Sequence, residues 1–278
     1  MLENQPTMDL EQAPAGVNPM IPNTARIMDY LLGGTQHFAS DRGVGDHAFV
    51  NWPGETGGVE GVRVDLHAAR DSLRRIVGHL AGECGIRQFL DLASGLPTMG
   101  NTHEAARAVA PGCRVVYVDS NPSVAAHGQY LLASDPDTVF LEADFRDPQD
   151  ILRRAAATLD FSRPVGLILF GVLHFVDDSD GPQRILDELL GAVPSGSYLA
   201  LSHFAKDDAD TAMNAMLTEM DKQTGESVTR RTRSEVERFF DGMDVVPPGV
   251  VETELWRPPQ GASGPKPLPM WSGLARKR

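Results

Sequence analysis

The sequence predicts a doubly wound α/β fold with a mostly parallel sheet, and two observations support this prediction. Short apolar segments alternate with helical segments, as in repeated strand–helix units, and they cover residues 86–93, 113–120, 138–145, 165–173 and 197–204. These segments are apolar almost throughout, which is typical of strands that helices cover on both faces. Five such units predict a layered sheet of the kind that binds small ligands at one edge.

Local sequence signals place the helices between these strands. The predicted helices cover residues 101–110, 122–133, 148–159 and 182–193. Asn121 and Asp147 each precede a proline, a pattern typical of a capping residue followed by the first helical position. Further along, Ser234 and Glu237 have the spacing of a capping box before a short helix that ends at Gly242. The sequence after Gly242 predicts two strands joined by a loop rich in proline and glycine. These strands would form an antiparallel element at the sheet edge.

The N-terminal region predicts a tail and a helical extension before the main domain. Residues 1–20 are polar and predict a mobile tail, and residues 21–82 predict a helical extension that serves as a lid. In that extension Asn23 is expected to cap a helix that Gly33 and Gly34 end, and a long amphipathic helix follows. The main domain is expected to span residues 83–278, with a helical insertion at 207–232.

Composition and charge exclude several classes of function. The 278 residues carry 25 Lys and Arg against 38 Asp and Glu, which gives a formal net charge of −13. Such a charge opposes binding to nucleic acid or to an anionic membrane surface. The small basic clusters are expected to be solvated surface, and they comprise Arg74–Arg75, Arg230–Arg231–Arg233 and Arg276–Lys277–Arg278.

Targeting and redox signals favour a cytoplasmic protein. The apolar stretch 165–176 is too short to span a bilayer, and the first residues lack the features of a signal peptide. Cys84 and Cys113 are the only cysteines, so neither a disulfide framework nor a cysteine-rich zinc site is expected. Both are expected to be small buried apolar residues in a reducing compartment.

Acidic residues at three successive strand ends indicate a ligand site. Asp91, Asp119 and Asp144 end the first three predicted strands, and His174 and Ser202–His203 end the next two. Ligands in open α/β sheets bind beyond the carboxyl ends of the strands, so these side chains are expected to share one site.

The turn after the first strand argues against a phosphate and favours a cation. It contains Gly95, which allows close backbone approach, but it lacks the G-x-G-x-x-G pattern, and Pro97 removes an N–H group. Asp91 also suits a positive charge better than a phosphate. Asp119 is placed to accept from both hydroxyls of a ribose, and Asp144 from an adenine amino group. An adenosyl group with a cationic centre and no phosphate describes S-adenosylmethionine.

Several motifs of the chain also resemble a known family. They comprise residues 23–42 (NTARIMDYLLGGTQHFASDR), 89–104 (FLDLASGLPTMGNTHE), 116–127 (VYVDSNPSVAAH), 143–148 (ADFRDP), 172–178 (VLHFVDD), 197–203, 233–242 and the closing WSGLARK. Over roughly residues 20–278 the chain resembles the S-adenosyl methyltransferase family once called a domain of unknown function. The resemblance implies a class I methyltransferase fold, Rossmann-like, with a seven-stranded sheet whose last strand is antiparallel. It implies S-adenosylmethionine as methyl donor and names no acceptor.

Two residues depart from the first motif of the wider methyltransferase superfamily. Ala93 stands where that motif has glycine, and Pro97 replaces its third glycine, although Pro97 agrees with the narrower family. Because alanine does not readily adopt positive φ, the turn at Ala93 is expected to differ slightly from the usual geometry.

The predicted site has cofactor-binding, catalytic and substrate-binding parts. His174 is the candidate catalytic residue that orients or deprotonates the nucleophile, and the alternative is a packed histidine. His203 and Met213 are candidates for binding substrate, and no metal site is expected. The residues expected to bind the cofactor are Asp91, Ala93, Gly95, Leu96, Pro97, Thr98, Asp119, Ser120, Asp144, Phe145, Tyr30 and Gly34. For Phe145 the alternative is a core position, and for Tyr30 and Gly34 it is the end of a packed helix.

These features predict a methyltransferase that uses S-adenosylmethionine and acts on a small molecule. Two alternatives remain open. A protein that binds the cofactor and regulates a partner would need no catalytic base, and the sequence contains none that is unmistakable. An NAD(P)-dependent oxidoreductase would share the sheet, but it would need the phosphate-binding glycines that are missing here.

Overall fold

A twisted eight-stranded sheet forms the centre of the molecule in the computed structural model, which describes residues 13–53, 55–98, 100–206, 228–261 and 270–278. The strands β1 to β8 are Gln88–Leu92, Arg114–Asp119, Thr138–Glu142, Gly166–Phe170, Tyr198–Phe204, Asp244–Val245, Val251–Glu252 and Met270–Arg276. Their order is β3-β2-β1-β4-β5-β8-β6, with β7 also paired to β8. The strands β1 to β5 are mutually parallel.

The antiparallel end of the sheet agrees with the expected fold. β8 runs antiparallel to β5, and β6 and β7 both pair with β8. Because β6 and β7 are two residues long and pair with different parts of β8, they occupy one position in the strand order. The predicted doubly wound sheet of seven positions is therefore confirmed.

Helices cover both faces of the sheet. The helices α1 to α8 of the described ranges are Thr24–Leu31, Ala39–Ala48, Gly58–Gly82, Thr102–Val109, Pro122–Leu132, Pro148–Ala155, Pro182–Ala192 and Arg233–Arg238. Residues of α3, α4 and α5 form one buried cluster with alternate residues of the strands. Residues of α6, α7 and α8 form a second cluster with the other alternate residues. Burial on both faces explains why the strands carry almost no polar residues before their carboxyl ends.

Three of the four predicted helix caps are present in the structure. The side chains of Asn23, Asn121 and Asp147 accept hydrogen bonds from backbone N–H groups at the starts of α1, α5 and α6. Gly33, with a φ of 79°, follows the end of α1 as expected.

The predicted capping box at Ser234 and Glu237 is wrong. The box is formed two residues earlier, because Thr232 Oγ1 accepts from the Glu235 N–H at 3.3 Å and Glu235 Oε2 accepts from the Thr232 N–H at 2.7 Å. The preceding residue, Arg231, donates its backbone N–H to the Phe204 carbonyl of β5 at 3.3 Å. This bond holds the chain against the sheet up to Arg231, so the helix starts immediately after Thr232.

The chain before α1 packs against the extension. The Pro19 carbonyl accepts from Ser40 Oγ at 2.7 Å, and the Ile21 carbonyl accepts from Arg26 Nη2 at 2.6 Å. Val17 is buried. The N-terminal extension therefore includes residues that the sequence assigned to a tail. None of the helices in the described ranges combines the length and apolarity needed to cross a membrane.

Candidate functional site

Asp91 lies near the carboxyl end of the central strand β1 and is buried. Its Oδ2 accepts a hydrogen bond from Thr102 Oγ1 at 2.6 Å, and this is the one side-chain bond of the carboxylate within the described residues. Burial raises the pKa of Asp91 to about 6, although the Thr102 bond and the more distant Arg70 oppose the rise. A cation placed beside this carboxylate would offset the cost of its buried charge.

The turn after β1 keeps a left-handed conformation in spite of its alanine. Ala93 has a φ of 51°, so the expectation that an alanine at this position avoids positive φ is wrong. Left-handed backbone costs a residue with a side chain about 1–2 kcal/mol, and neighbouring contacts must supply this energy. One such contact follows directly, because the Ser94 N–H donates to the Val118 carbonyl of β2 at 3.1 Å.

Gly95 and Asp119 join the first two strand ends. The Gly95 N–H donates to Asp119 Oδ2 at 3.1 Å, and the Asn121 N–H donates to Asp119 Oδ1 at 3.0 Å. Burial raises the pKa of Asp119, while these bonds and one from the backbone of the exposed Ser120 oppose the rise. Within the same turn Leu96 and Pro97 are buried, and Thr98 is half-buried. The carboxylate is therefore fixed beside the glycine turn.

Asp144 and Phe145 lie in the segment that follows β3. β3 ends at Glu142, and the next residue, Ala143, donates its N–H to the Asp119 carbonyl at 3.0 Å. Asp144 is exposed, and its Oδ1 accepts from the Arg146 N–H at 2.9 Å. Phe145 packs in the core, with the Arg146 guanidinium 5.0 Å from the centre of its ring. The segment is thus held close to Asp119, and the adenine contacts stay a prediction.

The N-terminal extension lies against this group of turns. A Cβ added to Gly95 would be 3.9 Å from Cβ of Ala25 in α1. Arg26 Nη1 lies 3.3 Å from Oγ of Ser123 in α5. The extension therefore contacts both the first glycine turn and the helix after β2, which is where a lid over the site would lie.

The structure places Tyr30 and Gly34 in the extension beside other polar groups. The Tyr30 hydroxyl donates to Asp46 Oδ1 at 2.6 Å, and burial together with this bond raises the pKa of Tyr30. A Cβ at Gly34 would lie 2.0 Å from Asp29 Oδ1, so this position requires glycine. Asp29 Oδ2 accepts from the Gln36 N–H at 2.7 Å and lies 3.1 Å from Nδ1 of His37. Contact of Tyr30 and Gly34 with the cofactor stays a prediction.

One buried ion pair that holds the extension together has no clear signal in the sequence. Arg26 Nε lies 2.8 Å from Asp41 Oδ2, and both side chains are buried. Asp41 also accepts from the backbone N–H groups of Asn23 and Phe38. Arg26 on an apolar helix face indicates a buried partner, but the sequence does not identify Asp41, which lies 15 residues away.

His174 lies just beyond the carboxyl end of β4, in a short 3-10 helix, Leu173–Phe175. The side chain is buried, and its Nδ1 has no hydrogen-bond partner among the described residues. The rings of Phe175 and Phe204 each lie 4.4 Å from the imidazole centre. Burial, followed by the neighbouring His203 and Arg231, lowers the pKa of His174 well below its usual value. His174 is therefore neutral near pH 7 and carries a free polar nitrogen in an apolar setting.

Arg231 is a buried residue beside His174 and His203. It was expected to be solvated, but its guanidinium donates to the carbonyls of Leu173 and Val176 at 3.1 and 3.0 Å. It also donates to Asp178 Oδ1 at 2.6 Å and lies 2.8 Å from Nε2 of His203. These bonds attach the His174 segment to β5. A local charge cluster could not reveal them, because the partners lie more than 25 residues away in the chain.

His203 has a partner at each ring nitrogen. Its Nδ1 lies 2.9 Å from the Phe204 carbonyl, and its Nε2 faces the Arg231 guanidinium. Burial lowers the pKa of His203 to about 4, so the ring is neutral and Nε2 accepts from Arg231. Binding of substrate by His203 stays a prediction that competes with this structural role. Met213 lies outside the described residues, as does most of the predicted insertion 207–232. In the described ranges no group of three or more His, Cys, Asp or Glu residues could hold a metal ion.

Comparison with protein families gives one match over nearly the whole chain. The model of a family described as S-adenosyl methyltransferase matches residues 10–278. A comparison with curated proteins gives no match.

Solved structures with the same architecture include two that are 39% identical to this chain. A DUF574 family protein from Streptomyces avermitilis has a TM-score of 0.82 over 92% of this chain and 98% of its own. A putative methyltransferase from Thermobifida fusca has a TM-score of 0.83 over 96% of this chain and 99% of its own. The mitomycin 7-O-methyltransferase is 18% identical, with a TM-score of 0.51 over 79% of this chain and 57% of its own, and shows similarity of fold.

Proposed function

The chain belongs to the S-adenosyl methyltransferase family and uses S-adenosylmethionine as methyl donor, and on this premise we propose that its acceptor is a small molecule bound at His174. One observation carries the proposal. His174 Nδ1 is a buried nitrogen without a partner among the described residues, at the carboxyl end of β4. Unpaired buried polar atoms are rare in proteins, and a bound ligand is one reason for their presence.

The strand ends fit the methyl donor in charge and shape. Asp91 is a buried carboxylate with a raised pKa and one side-chain donor, so it suits the ammonium group of the methionine part. Gly95 presents a turn without a side chain beside Asp119. Asp119 is half-buried, and we assign it to the ribose hydroxyls, with Asp144 and Phe145 on the adenine side. The extension around Tyr30 and Gly34 would close over this group.

The chain contributes positioning, exclusion of water and proton transfer. S-adenosylmethionine supplies an electrophilic methyl group on a positively charged sulfur. The strand ends hold the donor, and the buried His174 segment orients the acceptor, because displacement requires the two reacting atoms to be aligned. Phe175 and Phe204 present apolar surface to the acceptor and exclude water.

The low pKa of His174 limits the kind of acceptor. Neutral imidazole accepts a proton, but the apolar setting and the nearby Arg231 make the protonated ring unfavourable. Such a weak base works best on an acidic hydroxyl, for example that of a phenol. The net charge of −13 also favours a small acceptor over a nucleic acid. We propose a cytoplasmic location, which the two unpaired cysteines support.

The experiment measures methyl transfer from labelled S-adenosylmethionine to small phenols, with RNA and peptide acceptors as further arms. We expect label in a phenol, and His174→Gln should lower turnover by about 10²-fold or more while binding of S-adenosylhomocysteine stays within about twofold. His67→Gln is the matched control, because His67 is exposed on α3. Label only in RNA or peptide, or full turnover in His174→Gln, would contradict the proposal.

A further inference from the structure

A cavity lies at the opposite edge of the sheet from the acidic strand ends. It has a volume of about 280 Å³ and is bounded by the first residues of β1 and β5, Gln88 and Tyr198, and by the last residue of β8, Arg276. The proposed cofactor site lies at the carboxyl ends of the parallel strands, so the two sites are separated by the length of the sheet. The proposed methyltransferase function assigns no role to this cavity.

Three arginines line the cavity in a chain with strong negative charge. They are Arg87, Arg163 and Arg276, and all three are exposed. Arg87 donates to the carbonyls of Ala81 and Ile86. Within the described ranges the side chains of Arg163 and Arg276 make neither a hydrogen bond nor an ion pair. The wall therefore offers two uncommitted guanidinium groups to an anion, and guanidinium binds carboxylates in a bidentate manner.

The same cavity contains a cysteine that is paired with a histidine. Cys84 Sγ lies 3.4 Å from Nε2 of His79, and His79 Nδ1 lies 3.1 Å from Oε2 of Glu83. The contact with His79 lowers the pKa of Glu83, so this carboxylate is charged and accepts from the Nδ1–H group. Nε2 is then free to accept the proton of the thiol. Cys84 is thus placed as a nucleophile, His79 as its base, and Glu83 as the residue that orients the base.

Two further polar side chains, those of Arg257 and Tyr198, lie beside the cysteine–histidine pair. Arg257 Nη1 lies 3.0 Å from Nδ1 and 3.4 Å from Nε2 of His79, which places it over the ring face and not in the ring plane. This guanidinium places a positive charge beside the cysteine–histidine pair. Tyr198 lines the same cavity, and burial, followed by the neighbouring Cys84 side chain, raises the pKa of Tyr198 to about 12. Tyr198 thus remains a hydroxyl that can donate to the sulfur.

We propose that Cys84 is a site of reversible thiolation by small disulfides that carry carboxylate groups. His79 takes the thiol proton, and the Cys84 sulfur attacks one sulfur of the disulfide. A new sulfur–sulfur bond forms as the original one breaks, and the leaving thiolate takes the proton from His79. The disulfide is the oxidant, and Arg163 and Arg276 bind its carboxylates. An excess of free thiol reverses the reaction by the same exchange.

Cys113 provides an internal control for this reactivity. It is fully buried between the sheet and its helices, and burial raises the pKa of its thiol. Because the chain contains only these two cysteines, Cys84→Ser leaves Cys113 as the one thiol. The experiment follows the full-length protein with two chromogenic probes, the dianion dithiobis(nitrobenzoate) and the neutral dithiodipyridine.

We expect Cys84 to react with the anionic probe at least about tenfold faster than Cys113, because Cys84 lines a cavity beside His79 whereas Cys113 is buried. Arg276→Gln should lower the rate with the anionic probe about threefold or more at low salt and leave the rate with the neutral probe unchanged. Arg276→Lys keeps the positive charge and should restore much of the rate with the anionic probe. Arg184→Gln, on α7, is the matched control. His79→Gln should slow both probes at neutral pH and move the pH profile upward.

Three results would overturn the proposal. The first is a Cys84 rate no greater than that of Cys113, and the second is an anionic-to-neutral rate ratio that Arg276→Gln leaves unchanged. The third is a pH profile that is the same in His79→Gln and in the wild-type chain. All three concern the amino edge of the sheet, so they leave the methyltransferase assignment untouched.

Discussion

The affinity for S-adenosylhomocysteine should fall at acidic pH because Asp91 must be ionised to bind the ammonium group. Burial raises the pKa of Asp91 to about 6 in the free protein. The bound ammonium favours the charged carboxylate, so binding lowers this pKa and releases a proton from the fraction that is protonated. The affected range therefore lies between the ordinary pKa of an aspartate and about pH 7.

The size of the effect follows from the ionised fraction. With a pKa of about 6, about nine-tenths of Asp91 is ionised at pH 7 and about one-tenth at pH 5. If only the ionised form binds tightly, Kd rises about tenfold between these values. Asp119 also has a raised pKa, so its protonation contributes to the change of Kd with pH. A variant is needed to separate the two carboxyl groups.

Isothermal titration calorimetry at several pH values and in two buffers of different ionisation enthalpy measures both Kd and proton release. The wild-type chain should release close to half a proton per ligand at pH 6, where Asp91 is half ionised. Asp91→Asn should bind more weakly at pH 7 and lose this component of proton release. A wild-type Kd that is constant from pH 5 to pH 7, or a profile that Asp91→Asn leaves unchanged, would refute the assignment of the ammonium group to Asp91.

Four substitutions, of which Asp178→Asn is the control for Arg231→Met, test the packing around the two sites by urea unfolding. Arg231→Met removes the donors of two buried carbonyls and one imidazole nitrogen, and should lower the free energy of unfolding by about 3 kcal/mol. The carboxylate of Asp178 is 82% exposed, so Asp178→Asn should lower the free energy of unfolding by less than about 1 kcal/mol. Equal losses would contradict the buried role of Arg231. Gly34→Ala forces a Cβ onto the Asp29 carboxylate and should cost about 2–3 kcal/mol, so a wild-type midpoint would contradict the contact. Ala93→Gly relieves positive φ but adds chain entropy, so stability should stay within about 1 kcal/mol; a larger loss would show that the alanine methyl group has a packing role.

Features that depend on neighbouring residues in the chain could be predicted from the sequence. The strands were recognisable because both of their faces are buried, and the caps at Asn23, Asn121 and Asp147 act within three residues. The seven-stranded sheet and its antiparallel last strand followed from the family resemblance, whereas the strand order came from the structure. Predicted strands were longer than observed, as at β3, because the apolar character continues past the last paired residue, Glu142.

Features that depend on tertiary contacts could not be predicted. Propensity argues against positive φ at Ala93, yet the turn adopts it between the bonds from Ser94 to β2 and from Gly95 to Asp119. Arg231 resembles surface charge in the sequence, and its burial depends on carbonyls more than 50 residues earlier. Cys84 was expected to be a buried apolar residue, but the end of α3 places it beside His79 in an open cavity.

A crystal structure grown with S-adenosylhomocysteine would show whether the acidic strand ends hold the methyl donor. We expect density for the adenosyl group between the Gly95 turn and Asp119, with the ribose hydroxyls on the Asp119 carboxylate and the amino group beside Asp91. The vacant methyl position should face the His174 segment. Density at another edge of the sheet, or a ligand whose ribose lies away from Asp119, would rule out this assignment of the cofactor site.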